Sequence, residues 1–299
     1  MTRLALAFAA FVLAPLALSA QEKYTIKVSK DEVKGDRVHV TRNETAVNAS
    51  TVKAADGAVV QDQKRVDEKQ LTYEETIVEK TAGKKASQLS RKFEAVTVKT
   101  NGKEEETGLA GKTVTVERKD GKYQFKADDN LLPGATRLLT GDFKDGSDDE
   151  SMLEKRMLPK APVGVGETWK CDMPELVKDF TKATGSKIDA DKASGTGKLL
   201  KAYDKDGKKF GTLEVTVELP VTELKGGGAA ALKMDAGSRF KVTINYDGCI
   251  DGSRTEGTIK FGMDLKGSTK IDRPDGTTWS VTIATNNVRT ETVKEVGKR

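Results

Sequence analysis

Leu213-Glu-Val-Thr-Val-Glu-Leu-Pro-Val221 is the stretch that decides the fold. Every second residue is aliphatic, and the residues between are Glu, Thr and Pro. That is the period-2 pattern of a strand with one buried face and one wet face. Phe240, Val242, Ile244 and Tyr246 repeat it, as do Ile259, Phe261, Met263 and Leu265, and then Trp279, Val281 and Ile283. Toward the N-terminus it is carried by Tyr24, Ile26 and Val28, and by Val38 and Val40. Val114 and Val116 run through Lys119-Asp-Gly121 to Tyr123 and Phe125, which reads as a hairpin. Asp206-Gly207, Asp247-Gly248, Asp251-Gly252 and Pro274-Asp-Gly276 read as further turns. One apolar and one polar face per strand predicts a mainly β protein, an antiparallel meander forming a half barrel or paired sheets.

Two short helices are expected near the chain midpoint. Ser147-Asp-Asp-Glu150 has capping-box form, with Leu153 and Met157 four apart behind it. Asp172 can cap a second helix, with Pro174 in its first turn and Leu176, Val177 and Phe180 along one side. Lys178 and Lys182 sit toward its C-terminal end, where they suit the dipole, and Gly185 is a natural stop. Between the two lies Leu158-Pro-Lys-Ala-Pro-Val-Gly-Val-Gly-Glu-Thr-Trp169, whose prolines cannot continue a helix. This segment is expected to separate an N-terminal β-rich region, 21–157, from a C-terminal β-meander region, 158–299. One continuous domain is the alternative. Stretches 142–149 and 226–231 read as loops.

Residues 1–20 have the layout of a cleavable export signal. Arg3 precedes an apolar run from Leu4 to Leu16, and Ala17-Leu-Ser-Ala20 offers small residues to a peptidase. The run is too short for a stable span, so an exported, soluble mature chain is expected, periplasmic or extracellular, with no transmembrane segment. The 51 basic side chains nearly balance 46 acidic ones and are interspersed with them. That pattern describes a solvated outer face rather than a nucleic-acid surface. In an oxidising compartment the isolated pair Cys171 and Cys249 is expected to be bridged, a link worth roughly 4–4.5 kcal/mol of chain entropy. The rival reading is two buried thiols acting as small apolar groups.

Reactive groups are few. His39, the one histidine, falls on the polar parity of Arg37-Val-His-Val40, which predicts a solvent-facing position. Without a nucleophile elbow, neither Ser-His-Asp nor Cys-His chemistry is expected, and a His-based zinc site is excluded by count. Gly111-Lys-Thr113 resembles the end of a phosphate loop, but Glu106 occupies the position of the required upstream Gly and a strand follows. Asp204-Lys-Asp-Gly207 lacks calcium ligands at Ala202 and Leu213 and reads as a hairpin turn. Ser50-Thr-Val-Lys53 matches Ser-x-x-Lys without its companion motifs. No catalytic, cofactor-binding or metal-ligating residue is assigned, and no cofactor is expected. A carboxylate pair could still be concealed among the acidic residues, since its spacing exists only in three dimensions. Trp169 and Trp279 are expected to be core residues rather than sugar platforms.

Three segments carry a resemblance: Leu71-Thr-Tyr-Glu-Glu-Thr-Ile-Val-Glu-Lys80, Leu109-Ala-Gly-Lys-Thr-Val-Thr-Val-Glu-Arg118 and the 158–169 segment. With the export signal, they resemble uncharacterised exported β-rich proteins of bacteria of the planctomycete type. The resemblance implies antiparallel sheet in an outline similar to the periplasmic lipoprotein-carrier fold, and brings no catalytic residues. Two functions follow as expectations. The first is a non-catalytic binding or envelope-associated module whose concave apolar sheet face takes an apolar or lipid-like ligand or an envelope protein. The second is a carboxylate-based hydrolase acting on envelope polymer.

Overall fold

The computed structural model describes residues 22–82, 85–143, 153–225 and 231–297. The segment expected to be an export signal, the expected capping box at 147–150 and residues 226–230 of the expected loop lie outside the described residues. In chain order the strands are β1 (Lys23–Tyr24), β2 (Arg37–Lys53), β3 (Val59–Lys80), β4 (Ala86–Thr100), β5 (Lys103–Glu104), β6 (Thr113–Lys119) and β7 (Lys122–Lys126). They continue as β8 (Val163–Gly164), β9 (Thr168–Lys170), β10 (Lys187–Ile188), β11 (Ser194–Lys205), β12 (Lys208–Leu224), β13 (Leu232–Lys233), β14 (Arg239–Cys249), β15 (Gly257–Asp272) and β16 (Thr278–Glu295).

The alternating series become one large antiparallel sheet, open at both ends, with the order β7-β6-β4-β3-β2-β16-β15-β14-β12-β11-β9. β1 and β8 form a separate two-stranded ribbon. The sheet consists of two meanders laid side by side. Their junction is β2 against β16, in unbroken register from Ser280 opposite Lys53 to Glu295 opposite Val38. The strands of 21–157 and 158–299 thus hydrogen-bond into one surface.

Most expected turns form where the sequence places them. Asp120 and Gly121 both take positive φ, the backbone that a two-residue hairpin requires. Asp247-Gly248 does not turn, however, and instead lies inside β14. Gly248 is there for close approach: a Cβ on it would fall 2.6 Å from the Cα of Gly257 on the neighbouring strand. The 158–169 segment contains two short strands, β8 and β9, rather than one.

Helix α1 (Pro133–Asp142) has no counterpart in the sequence reading. Pro133 starts it, and Ala135, Leu138 and Leu139 at i, i+3 and i+4 form its buried stripe. Gly134, Thr136, Thr140 and Gly141 dilute its helical propensity. Helix α2 (Met173–Thr184) forms where expected and stops at Gly185, which adopts φ 70°. The helix expected before it survives among the described residues only as a π turn over Leu153–Met157.

Each helix covers one apolar half of the sheet. Leu176 and Val177 of α2 pack into a core with Leu213, Val215, Val217, Phe240 and Ile244. Ala135, Leu138 and Leu139 of α1 pack into a second core with Leu71, Tyr73, Phe93, Val114 and Val116.

Candidate functional site

Directly opposed residues of an antiparallel pair point to the same face, so rows can be followed across the whole sheet. One row runs Leu213, Tyr246, Ile259, Glu291, Arg42, Leu71, Val96. The next runs Val215, Ile244, Phe261, Arg289, Glu44, Lys69, Val98, and the third runs Val217, Val242, Met263, Asn287, Ala46, Asp67, Thr100. Both cores therefore lie on the same face, and a polar band carried by β16, β2 and β3 separates them. The expected apolar face is interrupted at the junction of the two meanders.

On the α1 side of the band the charges are locked together. Arg42 and Arg91 are only 7% and 6% exposed. Asp142, the last residue of α1, accepts from Arg42 Nη1 and from Arg91 Nη1, each at 2.7 Å. Two cross-strand pairs complete the set, Arg42 Nε to Glu291 at 2.6 Å and Arg91 Nε to Glu75 at 2.6 Å. Arg42 Nη2 also donates to the Tyr73 hydroxyl at 3.2 Å. The Arg91 guanidinium lies between the Tyr73 and Phe143 rings, 4.4 Å from each centroid.

A carboxylate at a helix C-terminus opposes the helix dipole, so Asp142 owes its place to the two arginines. Burial works against charge on Arg42 and Arg91, yet Tyr73 and the carboxylates outweigh it and raise both pKa values. Burial also penalises charge on Asp142, but Arg42 and Arg91 hold its pKa below the usual carboxylate range. Burial pushes the Tyr73 phenol up to about 12. Each of these carboxylates is engaged by a guanidinium, so the arrangement is a latch that pins α1 to the sheet.

Beyond the latch the band is open. Glu44 meets Lys69 Nζ at 3.5 Å and Asn287 Nδ2 at 3.5 Å, and Arg289 Nη2 stands 3.7 Å from Glu291. The Asn287 Oδ1 and Arg289 Nε atoms, two residues apart on the same face of β16, are buried without a hydrogen-bond partner, while the rest of the Arg289 side chain reaches solvent. On the other flank, Ile259, Phe261, Met263 and Ile283 border the α2 core and stay partly exposed. This central strip, apolar along β15 and polar along β16 and β2, is the candidate site. A separate open depression of about 300 Å³ beside β7 is lined by Phe125, Lys126, Ala127 and Leu131, among others.

The residues singled out in the sequence lie elsewhere. The bridge expected between Cys171 and Cys249 is not formed, and both are free, buried thiols. Cys171 sits in the α2 core with its Sγ 3.8 Å from the Met157 carbonyl, and burial pushes its pKa up to about 11. Cys249 ends β14, where its Sγ lies 3.1 Å from Asp251 Oδ1. Each thiol has its own local partner. Native protein without reductant is therefore expected to resist alkylation, and both thiols to label once it is unfolded. An unfolded, unreduced chain that takes up no label would contradict this.

His39 is half exposed on the opposite face, with Nε2 3.3 Å from Glu94. Asp204-Lys-Asp-Gly207 is the turn between β11 and β12, and Asp204 accepts from Lys209. Lys112 pairs with Asp129, and Ser50 and Lys53 are ordinary positions of β2. Trp169 is a core residue whose Nε1 donates to the Met157 carbonyl at 2.7 Å. Trp279 is partly exposed under the Arg273 guanidinium, 4.2 Å from its centroid. Among the described residues no three metal-ligating side chains gather.

The class these features define is a mainly β protein with one open antiparallel sheet and helices on one of its faces. No protein-family model matches the chain, and no curated protein matches it in sequence. Two solved structures align with most of the chain. One, described for its lipid–protein interactions, is lipovitellin: 10% identity, TM-score 0.41, covering 89% of this chain and 26% of that chain. The chain thus spans about a quarter of the lipovitellin chain. The other is an outer membrane channel from Pseudomonas putida F1, with 9% identity and a TM-score of 0.18, covering 89% of this chain and 97% of that one. These values speak to neither ligand nor activity. Among the described residues no helix is long and apolar enough to cross a membrane.

Proposed function

We propose that the protein is an exported, non-catalytic binding module of the cell envelope that holds an amphipathic ligand on its central strip. One observation carries this reading: the core-bearing face changes from apolar to polar within one strand spacing, where Phe261 and Met263 on β15 stand opposite Arg289 and Asn287 on β16. An acyl-like portion lies along Ile259, Phe261 and Met263, and its polar end meets the partly exposed Arg289 guanidinium. An apolar surface with a few convergent polar groups is the usual chemistry of small-molecule recognition.

The hydrolase reading needs a carboxyl group held protonated. Among the described residues the fold moves the acidity of Asp67, Asp142, Asp251 and Glu256 in the other direction, toward the charged form.

A fluorescent single-chain lipid titrated into the mature protein tests the proposal. Saturable binding is expected, and Phe261→Glu should weaken it at least about tenfold by placing a charge where the chain lies. Unchanged affinity in F261E, with the dichroism spectrum retained, would sink the idea. Export is tested separately by the intact mass of the chain from its own host, expected to begin at Gln21.

A further inference from the structure

Beyond the two cores, the sheet continues as four strands. The hairpin β2–β3 and the hairpin β15–β16 lie side by side, joined through Lys53 opposite Ser280. Their tips expose apolar groups. Val59, Val60 and Ile271 are 59%, 50% and 37% exposed, and with partly exposed Trp279 they form the outer end of this projection. They are three of the seven large apolar side chains that stand clearly in solvent among the described residues. Two adjoining turns therefore concentrate what the rest of the surface disperses.

The groups point to both sides of the sheet. Ile271 is opposite Trp279, on the face that bears the cores. Val59 is opposite Lys53, on the other face, and Val60 is the extra residue of a bulge between them. A protein partner would cover one face or one edge. A thin apolar end, four strands and roughly 14 Å across, with groups on both sides, suits a medium that surrounds it.

Charge points the same way. Lys53, Lys270 and Arg273 stand at the tips against Asp56, Asp272 and Asp275. The three aspartates turn back into their own hairpins. Asp56 accepts from the Ala58 amide, Asp275 from the Thr277 amide and Asp272 from the Thr278 hydroxyl, at 2.8–2.9 Å. Arg273 stacks on Trp279, so an aromatic ring and a cation share the apolar end, a pairing suited to the boundary between acyl chains and headgroups. The balanced charges match a zwitterionic headgroup layer rather than a strongly anionic one.

We infer that the two tips dock edge-on into a phospholipid surface, with Trp279, Ile271, Val59 and Val60 entering the headgroup–acyl boundary. The inference is independent of the ligand strip and can fail without it.

Trp279 supplies the readout, because the other tryptophan, Trp169, is buried in the α2 core. Full-length mature protein is mixed with phosphatidylcholine vesicles, with or without added phosphatidylglycerol. The emission is expected to move to shorter wavelength, brominated acyl chains to quench it, and salt to change binding little. Val59→Asp combined with Ile271→Asp replaces exposed groups only, and should lower vesicle partitioning at least about tenfold with the fold intact by circular dichroism. Each single substitution should give part of that loss, and Trp279→Phe should abolish the spectral shift. Unchanged emission over both vesicle types would overturn the inference, as would full partitioning by the double variant. A shift that follows protein concentration without vesicles would also overturn it, since the tips would then be meeting a second copy of the chain.

Discussion

Asp142→Ala is expected to cost about 3–5 kcal/mol of stability, because it leaves two guanidiniums buried with the charge between them removed. Glu291 and Glu75 still hold one nitrogen of each arginine, so the sheet persists while α1 loses its anchor at the C-terminal end. Urea denaturation followed by tryptophan emission and by far-ultraviolet dichroism measures the change. A loss under about 1 kcal/mol would mean that the latch is no stronger than a surface pair.

Acid should undo the same contact. The pKa of Asp142 is lowered in the fold, so its contribution is complete above the unfolded value near 3.9 and disappears as pH falls through the lower folded value. Asp67 and Asp251, also lowered, act in the same direction. Asp142→Asn should therefore make the stability curve less steep on its acid side. A wild-type acid limb in that variant would remove Asp142 from the account.

Trp169→Ala is expected to cost about 3–5 kcal/mol, through the cavity it leaves and the hydrogen bond lost at the Met157 carbonyl. The ring lies directly over Gly197 on β11, where an added methyl would overlap it. Gly197→Ala alone should therefore destabilise by about 1–3 kcal/mol, yet cost much less once Trp169 is already alanine. Purely additive losses in the double variant would show that the two positions do not press on each other.

How much of this was legible in the sequence depended on range. Local alternation placed β12, β14, β15 and β16, and Asp-Gly pairs marked the turns at 120–121 and 206–207. Gly248 misled because glycine serves close strand approach as well as turning, and a single sequence does not distinguish the two. Helix α1 was obscured by its own glycines and threonines. The pairing of β2 with β16 left no local trace at all, since its partners are more than two hundred residues apart.

The latch did leave a signal. Arg42 follows Val38 and Val40 on the same parity, and Arg91 stands between Leu89 and Phe93 on theirs. An arginine in register with a buried stripe calls for a buried counter-charge, although its partner on α1 could come only from the tertiary fold. Composition likewise showed that polar residues were plentiful, but not that they form a band across one face.

The seam between β2 and β16 has a consequence for how this molecule comes into being. Arg42 finds Glu291 across 249 positions of chain, so β2 leaves the ribosome long before the strand it pairs with. Until then its flank has no neighbour, and the seam closes at the slow pace of distant contacts. A sheet that closes through its middle leaves two bare strand edges until that moment, and those edges are where two unfinished copies would pair.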